Sequence, residues 1–324
     1  HHVPRPLYHW RAWALSTALT IEAKPWAQEA SARAQQDHLD RMVGGTVVAS
    51  SVPGLNEVHP AVPSPPLVSV IIPTAGAAND QGRLVDAAVA SLREHESTVP
   101  LEITAVTTGE ISPIDGVDTQ VVLEPPFNFS RAINTGRDHS RGEFLFLLND
   151  DTFVDSDQPV LRLLETVNDP RVGVVGALLT YPDGRIQHAG IVMLPTGPTH
   201  AHIARPGSFP GYFGSTLTPR NFSAVTAAAM LIRSSTFDEL DGFDTEFARD
   251  FNDVDFCLRA RQAGYRIAWT PYAHLTHHEG ASIVRKKADP QEQKLFDQRW
   301  GSMGVDPYYS PALHQSLARL YEAL

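Results

Sequence analysis

Phe144-Leu145-Phe146-Leu147-Leu148-Asn149-Asp150-Asp151 reads as a buried strand running straight into a polar, acidic turn. An apolar run without alternation marks a strand covered on both faces, the habit of parallel strands in α/β proteins. Acidic side chains at the carboxyl end of such a strand stand where open α/β sheets bind ligands.

Working outward, the neighbouring segments alternate strand and helix. Leu67-Val68-Ser69-Val70-Ile71-Ile72-Pro73 is a β-branched run ended by proline, and Leu84, Val85, Ala88 and Leu92 recur at helical spacing. Leu101-Glu102-Ile103-Thr104-Ala105-Val106 and Gln120-Val121-Val122-Leu123 predict further strands, and 128–140 a helix with Gly142 beyond it. A helix over 159–167 opens with proline, a favoured first-turn residue, and Val172-Gly173-Val174-Val175-Gly176 follows as a strand. The alternation predicts an α/β fold with a mostly parallel central sheet flanked by helices.

The periphery is less regular. Residues 181–221, rich in Gly, Pro and His, predict loops over the sheet, and 224–233 fits either a strand or a buried helix. A helix over 254–262 is stopped by Gly264, and Tyr265-Arg266-Ile267-Ala268-Trp269 is a strand. The expected organisation is a helical amino-terminal segment 1–49, a Pro-rich extended linker 50–66, a main domain 67–309 and a carboxyl-terminal helix 310–324. That last helix rests on Leu313, Leu317, Leu320 and Tyr321 at helical spacing.

Composition narrows the function. Against 26 Lys and Arg stand 37 Asp and Glu, a net charge of −11, which excludes general nucleic-acid binding through phosphate neutralisation. The single Cys257 excludes an intrachain disulfide framework. The longest apolar stretch, 224–232, is about half of the roughly 20 residues that a membrane-spanning helix needs. There is no G-x-S-x-G, Walker A or G-x-G-x-x-G pattern.

Four sets of residues could carry chemistry. Asn149-Asp150-Asp151 is either a polar turn or a source of hard oxygen ligands for Mg²⁺ or Mn²⁺. Asp253, where a helix begins, is either an N-cap or a general base, while Asp255 points elsewhere and is structural. His277-His278 is either loop or metal ligand, and Arg285-Lys286-Lys287 either a solvated face or a diphosphate clamp. His188, His200 and His202 suit structural or substrate-contact roles better than a metal site. The spacing of His200 and His202 would put both rings on one face of a strand.

The order of these segments resembles the family 2 glycosyltransferases of the GT-A fold, over roughly residues 66–309. The resemblance is carried by Val68-Ser69-Val70-Ile71-Ile72-Pro73-Thr74, Asn128-Phe129-Ser130-Arg131-Ala132-Ile133-Asn134, 142–151, Gly242-Phe243-Asp244, 251–259, Gly264-Tyr265-Arg266 and His277. Gly184-Arg185-Ile186-Gln187-His188-Ala189-Gly190, Gly211-Tyr212-Phe213-Gly214 and Asp306-Pro307-Tyr308-Tyr309 look like the bacterial branch that builds O-antigen, capsule and other cell-wall polysaccharide.

The resemblance implies a metal-dependent inverting transfer of a sugar from a nucleoside diphosphate to a glycan or lipid-linked glycan. Pro73, Thr74, Arg131, Asn134, Asn149, Asp150 and Arg285 would contact the nucleotide-sugar. Asp151 and His277 would ligate Mn²⁺ or Mg²⁺, Asp253 would be the base, and Asn252, Trp269 and His188 would meet the acceptor. Asn149 replaces the first acid of the family's DxD pattern, and Val106-Thr107-Thr108-Gly109 lacks its nucleobase-reading acid, which leaves UDP and dTDP donors both open. A cytoplasmic location, with peripheral association at the inner face of the plasma membrane, would follow. Pro4-Arg5-Pro6-Leu7-Tyr8-His9-Trp10-Arg11, Ser16-Thr17-Ala18 and Lys24-Pro25 resemble the tail of a preceding transferase domain. With no Met before His1, the chain is expected to be the carboxyl-terminal part of a tandem enzyme. The rival readings are a non-catalytic glycan- or nucleotide-sugar-binding domain and a sugar nucleotidyltransferase. The latter is disfavoured because 73–82, after the first strand, has no basic residue before Arg83.

Overall fold

The computed structural model describes residues 8, 26–50, 52, 54–80, 82–279, 288–301 and 304–322. In chain order the elements begin with α1 (Trp26–Met42), β1 (Gly45–Ala49), β2 (Asn56–Pro60), β3 (Val68–Thr74), β4 (Ala78–Asn79), β5 (Gly82–Arg83) and α2 (Leu84–His95). Next come β6 (Leu101–Thr108), β7 (Thr119–Leu123), α3 (Phe129–Asp138), β8 (Phe144–Leu148), β9 (Thr152–Val154), α4 (Pro159–Val167) and β10 (Val172–Thr180). The short strands β11 (Ile186–His188), β12 (Ile191–Leu194), β13 (Gly197–His200) and β14 (Arg220–Phe222) precede β15 (Ala229–Arg233). The chain closes with α5 (Ser234–Glu239), α6 (Asn252–Gln262), β16 (Arg266–His277) and α7 (Pro290–Trp300).

Ten strands form the main sheet, in the order β14-β16-β10-β15-β8-β3-β6-β7, with β11 on β10 and β9 on β16. The pairings β8/β3, β3/β6, β6/β7 and β10/β16 are parallel, and β15 runs antiparallel between β10 and β8. Six strands therefore share one direction, and the sheet is mostly parallel, as the sequence predicts.

The apolar run of β8 is explained by layers on both faces. Phe144, Phe146 and Leu148 enter one core with Val85, Val89 and Leu92 of α2 and Val160, Leu163 and Leu164 of α4. Leu145 and Leu147 enter the other with Ala132 and Ile133 of α3 and Val254, Phe256 and Leu258 of α6. Alternate side chains point to opposite faces, so a doubly covered strand must be apolar throughout.

Three expectations are corrected or resolved. The extended linker contains β2, paired antiparallel with β1 across Gly45↔Pro60 to Ala49↔Asn56. This hairpin docks on α4, where His59 Nδ1 lies 2.9 Å from Glu165 Oε2. The carboxyl-terminal helix is absent: the described part of 310–324 is turns with one 3₁₀ turn at Leu317–Arg319. Leu313 and Leu320 are buried without it, because the chain doubles back so that His314 N–H donates to Glu322 C=O at 2.9 Å. Within 224–233, the strand alternative holds for β15.

Candidate active site

The parallel strands deliver their functional residues to one edge. β3 ends at Thr74, β8 runs into Asn149-Asp150-Asp151, and β16 ends at His277. Thr74 Oγ1–H donates to Asp150 Oδ2 at 2.6 Å, and Gly76 N–H donates to Thr74 Oγ1 at 2.9 Å. Burial, with the Asp151 charge adding to it, pushes the Asp150 carboxyl up to about 6 against the pull of the Thr74 hydrogen bond. A cation placed here would stabilise both carboxylates.

Register brings the next pair together. β16 pairs antiparallel with β9, with His277 opposite Thr152, the residue after Asp151. His277 Nε2 lies 3.0 Å from Asp151 Oδ1, and both side chains are largely buried. Asn149 Nδ2 approaches the same ring nitrogen at 3.4 Å. His278 N–H donates to Asp151 C=O at 2.9 Å, which ties the two loops together.

Asp253 occupies a second pole. It is half-buried in the first turn of α6, where its Oδ1 accepts from Val254 N–H at 2.8 Å and its Oδ2 from Ala227 N–H at 3.1 Å. It lines a cavity of about 390 Å³ with His200, Thr226, Asp250, Phe251 and Glu279. The segment before β15 joins the poles: Ala227 N–H holds Asp253, and the next carbonyl, Ala228, accepts Asn149 N–H at 3.0 Å. Asp255 turns away into the core, accepting from Arg259 and Arg299 at 2.8 Å and from Trp300 at 2.9 Å.

Other expected site residues are otherwise engaged. Asn134 gives both ends of its amide to the Phe243 backbone, at 2.8 and 2.9 Å, and so braces α3 against the loop before α6. Arg131 holds the Glu124 and Pro126 carbonyls, each at 2.6 Å. Pro73 is buried within β3, beside Val106.

The expected acceptor contacts are also revised. Trp269 is fully buried, with its indole N–H on Ala177 C=O at 3.0 Å, and is a core residue rather than an acceptor contact. His188 is fully buried as well, its Nδ1 3.0 Å from His200 Nδ1. Burial with the His200 ring beside it holds the His188 imidazole well below the usual histidine range. Of this pair only His200 reaches the cavity of Asp253. His202 sits beyond the end of β13, 2.9 Å from Ser215 and stacked on Tyr321, so it does not share a strand face with His200. Asn252 is buried, and its Oδ1 accepts from Asp253 N–H at 2.7 Å, which fixes the first turn of α6. Arg285 lies outside the described residues.

Two residues that sequence reasoning passed over adjoin the Asp151–His277 pair. Gln187 Oε1 lies 2.7 Å from His277 Nδ1, and Gln187 Nε2–H donates to Glu279 Oε2 at 3.1 Å. The Gly184–Gly190 stretch hinted at Gln187, but a partner 90 positions away gives no local signal. Among the described residues, no group of three or more His, Cys, Asp or Glu side chains is arranged to hold a metal by itself. No helix among them is long and apolar enough to cross a membrane.

No family model matches the chain. It is 37% identical to an uncharacterized protein, y4gI of Sinorhizobium fredii, over 97% of this chain and 36% of that one. It is 32% identical to the O-antigen biosynthesis protein RfbC of Myxococcus xanthus, over 96% of this chain and 25% of that one. An N-acetylglucosaminyl-diphospho-decaprenol L-rhamnosyltransferase of Mycobacterium tuberculosis is 30% identical over 37% of this chain and 41% of that one. The chain thus spans 36% and 25% of the length of the first two relatives. Among solved structures, GalNAc-T7 with UDP, GalNAc and Mn²⁺ superposes with a TM-score of 0.54 at 14% identity, over 86% of this chain and 57% of that one. At that identity the likeness is one of fold.

Proposed function

The chain is a GT-A-fold relative of proteins of O-antigen synthesis and rhamnosyl transfer, and from that premise we propose that it is a sugar transferase of polysaccharide synthesis. In this reading a glycosyl unit passes, with inversion, from a nucleoside diphosphate to a hydroxyl of a glycan acceptor. The observation that carries it is the pair of poles at one sheet edge, with Asp151 and His277 on one side of 226–229 and Asp253, at its cavity, on the other.

The donor set at the first pole fits a divalent cation. Glu279 offers only acceptor oxygens, so Gln187 turns its NH₂ to Glu279 and its carbonyl to His277. In the neutral imidazole the proton then sits on Nδ1, and the Nε2 lone pair faces the Asp151 carboxylate at 3.0 Å. Two lone-pair donors facing each other attract a cation, and a carboxylate–imidazole pair suits Mn²⁺ or Mg²⁺. Such an ion, held by Asp151 and His277, would neutralise charge on the departing nucleoside diphosphate.

The chain's own groups do the rest. Asp253 accepts the proton of the attacking hydroxyl, and the N–H groups of Ala227 and Val254 hold its carboxylate in place. Thr74 holds Asp150 at the donor side. The cavity of about 390 Å³ gives the acceptor sugar room beside Asp253.

The test is nucleoside diphosphate release from a panel of UDP- and dTDP-sugars, with Mn²⁺ present. Asp253→Asn is expected to abolish turnover while Mn²⁺-dependent UDP binding persists. Near-normal turnover of that variant would remove Asp253 as the base. A wild-type chain that binds nucleotide-sugar but releases no diphosphate would favour the binding-domain reading.

A further inference from the structure

We propose that Gln187, anchored by Glu279, is a positioning residue that sets the tautomer and orientation of His277 and so tunes cation binding at the Asp151–His277 pole. The inference rests on the metal reading above and assigns to the chain a control of that site lying outside the ligands themselves.

The geometry is a chain of directed hydrogen bonds. Gln187 Nε2–H donates to the Glu279 carboxylate at 3.1 Å. That contact orients the Gln187 amide, leaving Oε1 to accept from His277 Nδ1–H at 2.7 Å. In the neutral ring a proton on Nδ1 leaves the lone pair on Nε2, and it is Nε2 that faces Asp151. Gln187 is itself only 5% exposed, so water cannot easily take its place. Glu279 also lines the cavity that holds Asp253, so one carboxylate borders the acceptor space and, through Gln187, orients the metal-side imidazole. Partners of this kind typically change metal affinity by about 10- to 100-fold when removed.

The test measures Mn²⁺ affinity, with UDP present, by the free-ion electron paramagnetic resonance signal. The wild type is expected to bind Mn²⁺, and Asp151→Ala to lose most of that binding. Gln187→Ala is expected to weaken binding by about 10- to 100-fold. Exchanging the pair, Gln187→Glu with Glu279→Gln, keeps an acceptor toward Nδ1 and a donor between the two residues. It is expected to restore affinity to the wild-type range or above, a rescue that a merely structural role would not give.

Glu279→Ala removes an exposed side chain and is expected to weaken Mn²⁺ binding in the same direction. With the exchange it carries the test if Gln187→Ala does not fold. Unchanged Mn²⁺ affinity in Gln187→Ala, or in Glu279→Ala where that variant stands in, overturns the proposal, as does an exchange no better than the single variants. If the wild type itself binds no Mn²⁺, the metal reading falls and this inference with it. If Asp151→Ala loses the ion while the Gln187 and Glu279 variants keep it, only this inference falls.

Discussion

At single residues, the site and its scaffold use the same side-chain types, and partners tell them apart. Asn134 and Asp255 lie in the segments that carry the family resemblance, yet each is spent on structure. Asn134→Ala leaves a Phe243 N–H and C=O unpaired, at about 1–3 kcal/mol for a group so orphaned. It is expected to lower the urea midpoint while leaving UDP affinity in Mn²⁺ unchanged, whereas a large loss of affinity would return Asn134 to the nucleotide pocket. Asp255→Ala strips a buried carboxylate from Arg259, Arg299 and Trp300 and is expected to cost about 3–5 kcal/mol, read as a fall in melting temperature. Asp150 and Asp151 stand out in the sequence because they follow an apolar strand, whereas Thr74 enters only through the family resemblance and His277 reads as a loop residue. The brace of Asn134 and the amide of Gln187 do not stand out, since their roles are set by residues 109 and 90 positions away.

Among the elements, legibility followed the strength of the local pattern. β3 and β8 are continuous apolar or β-branched runs, and no other element type explains them. The spacing of Leu313, Leu317 and Leu320 imitates a helix, but turns bury Leu313 and Leu320 equally well. β2 escaped notice because its burial comes from α4 and β1 rather than from its own apolar period.

Helix α3 shows packing overriding propensity. Gly136 sits in the last turn of the helix, where alanine would normally gain up to about 1 kcal/mol. A Cβ there would stand 2.4 Å from Ile71 Cγ2 of β3, inside the buried core. Overpacking of that kind costs about 1–3 kcal/mol, so Gly136→Ala is expected to destabilise the chain despite the better helix former. A raised denaturant midpoint in that variant would show that α3 and β3 can part without penalty.

For the molecule as a whole, a net charge of −11 and a diphosphate ligand are compatible only through local positive charge. Asp150 and Asp151 stand at the sheet edge that would receive the donor, while distant charges are screened beyond about 8 Å at physiological salt. If a cation binds between Asp151 and His277 as proposed, it should set the sign of the salt dependence as well as the affinity. With Mn²⁺ present, UDP binding is attractive at the site, and added KCl is expected to weaken it. In EDTA the same acidic edge repels the diphosphate, so the residual UDP affinity should be much lower and should rise as KCl screens the repulsion. Calorimetric titrations at low and high KCl, with Mn²⁺ and with EDTA, give the two slopes. Opposite signs place the cation at the centre of nucleotide recognition, whereas equal slopes in both media would mean that protein cations hold the diphosphate without it.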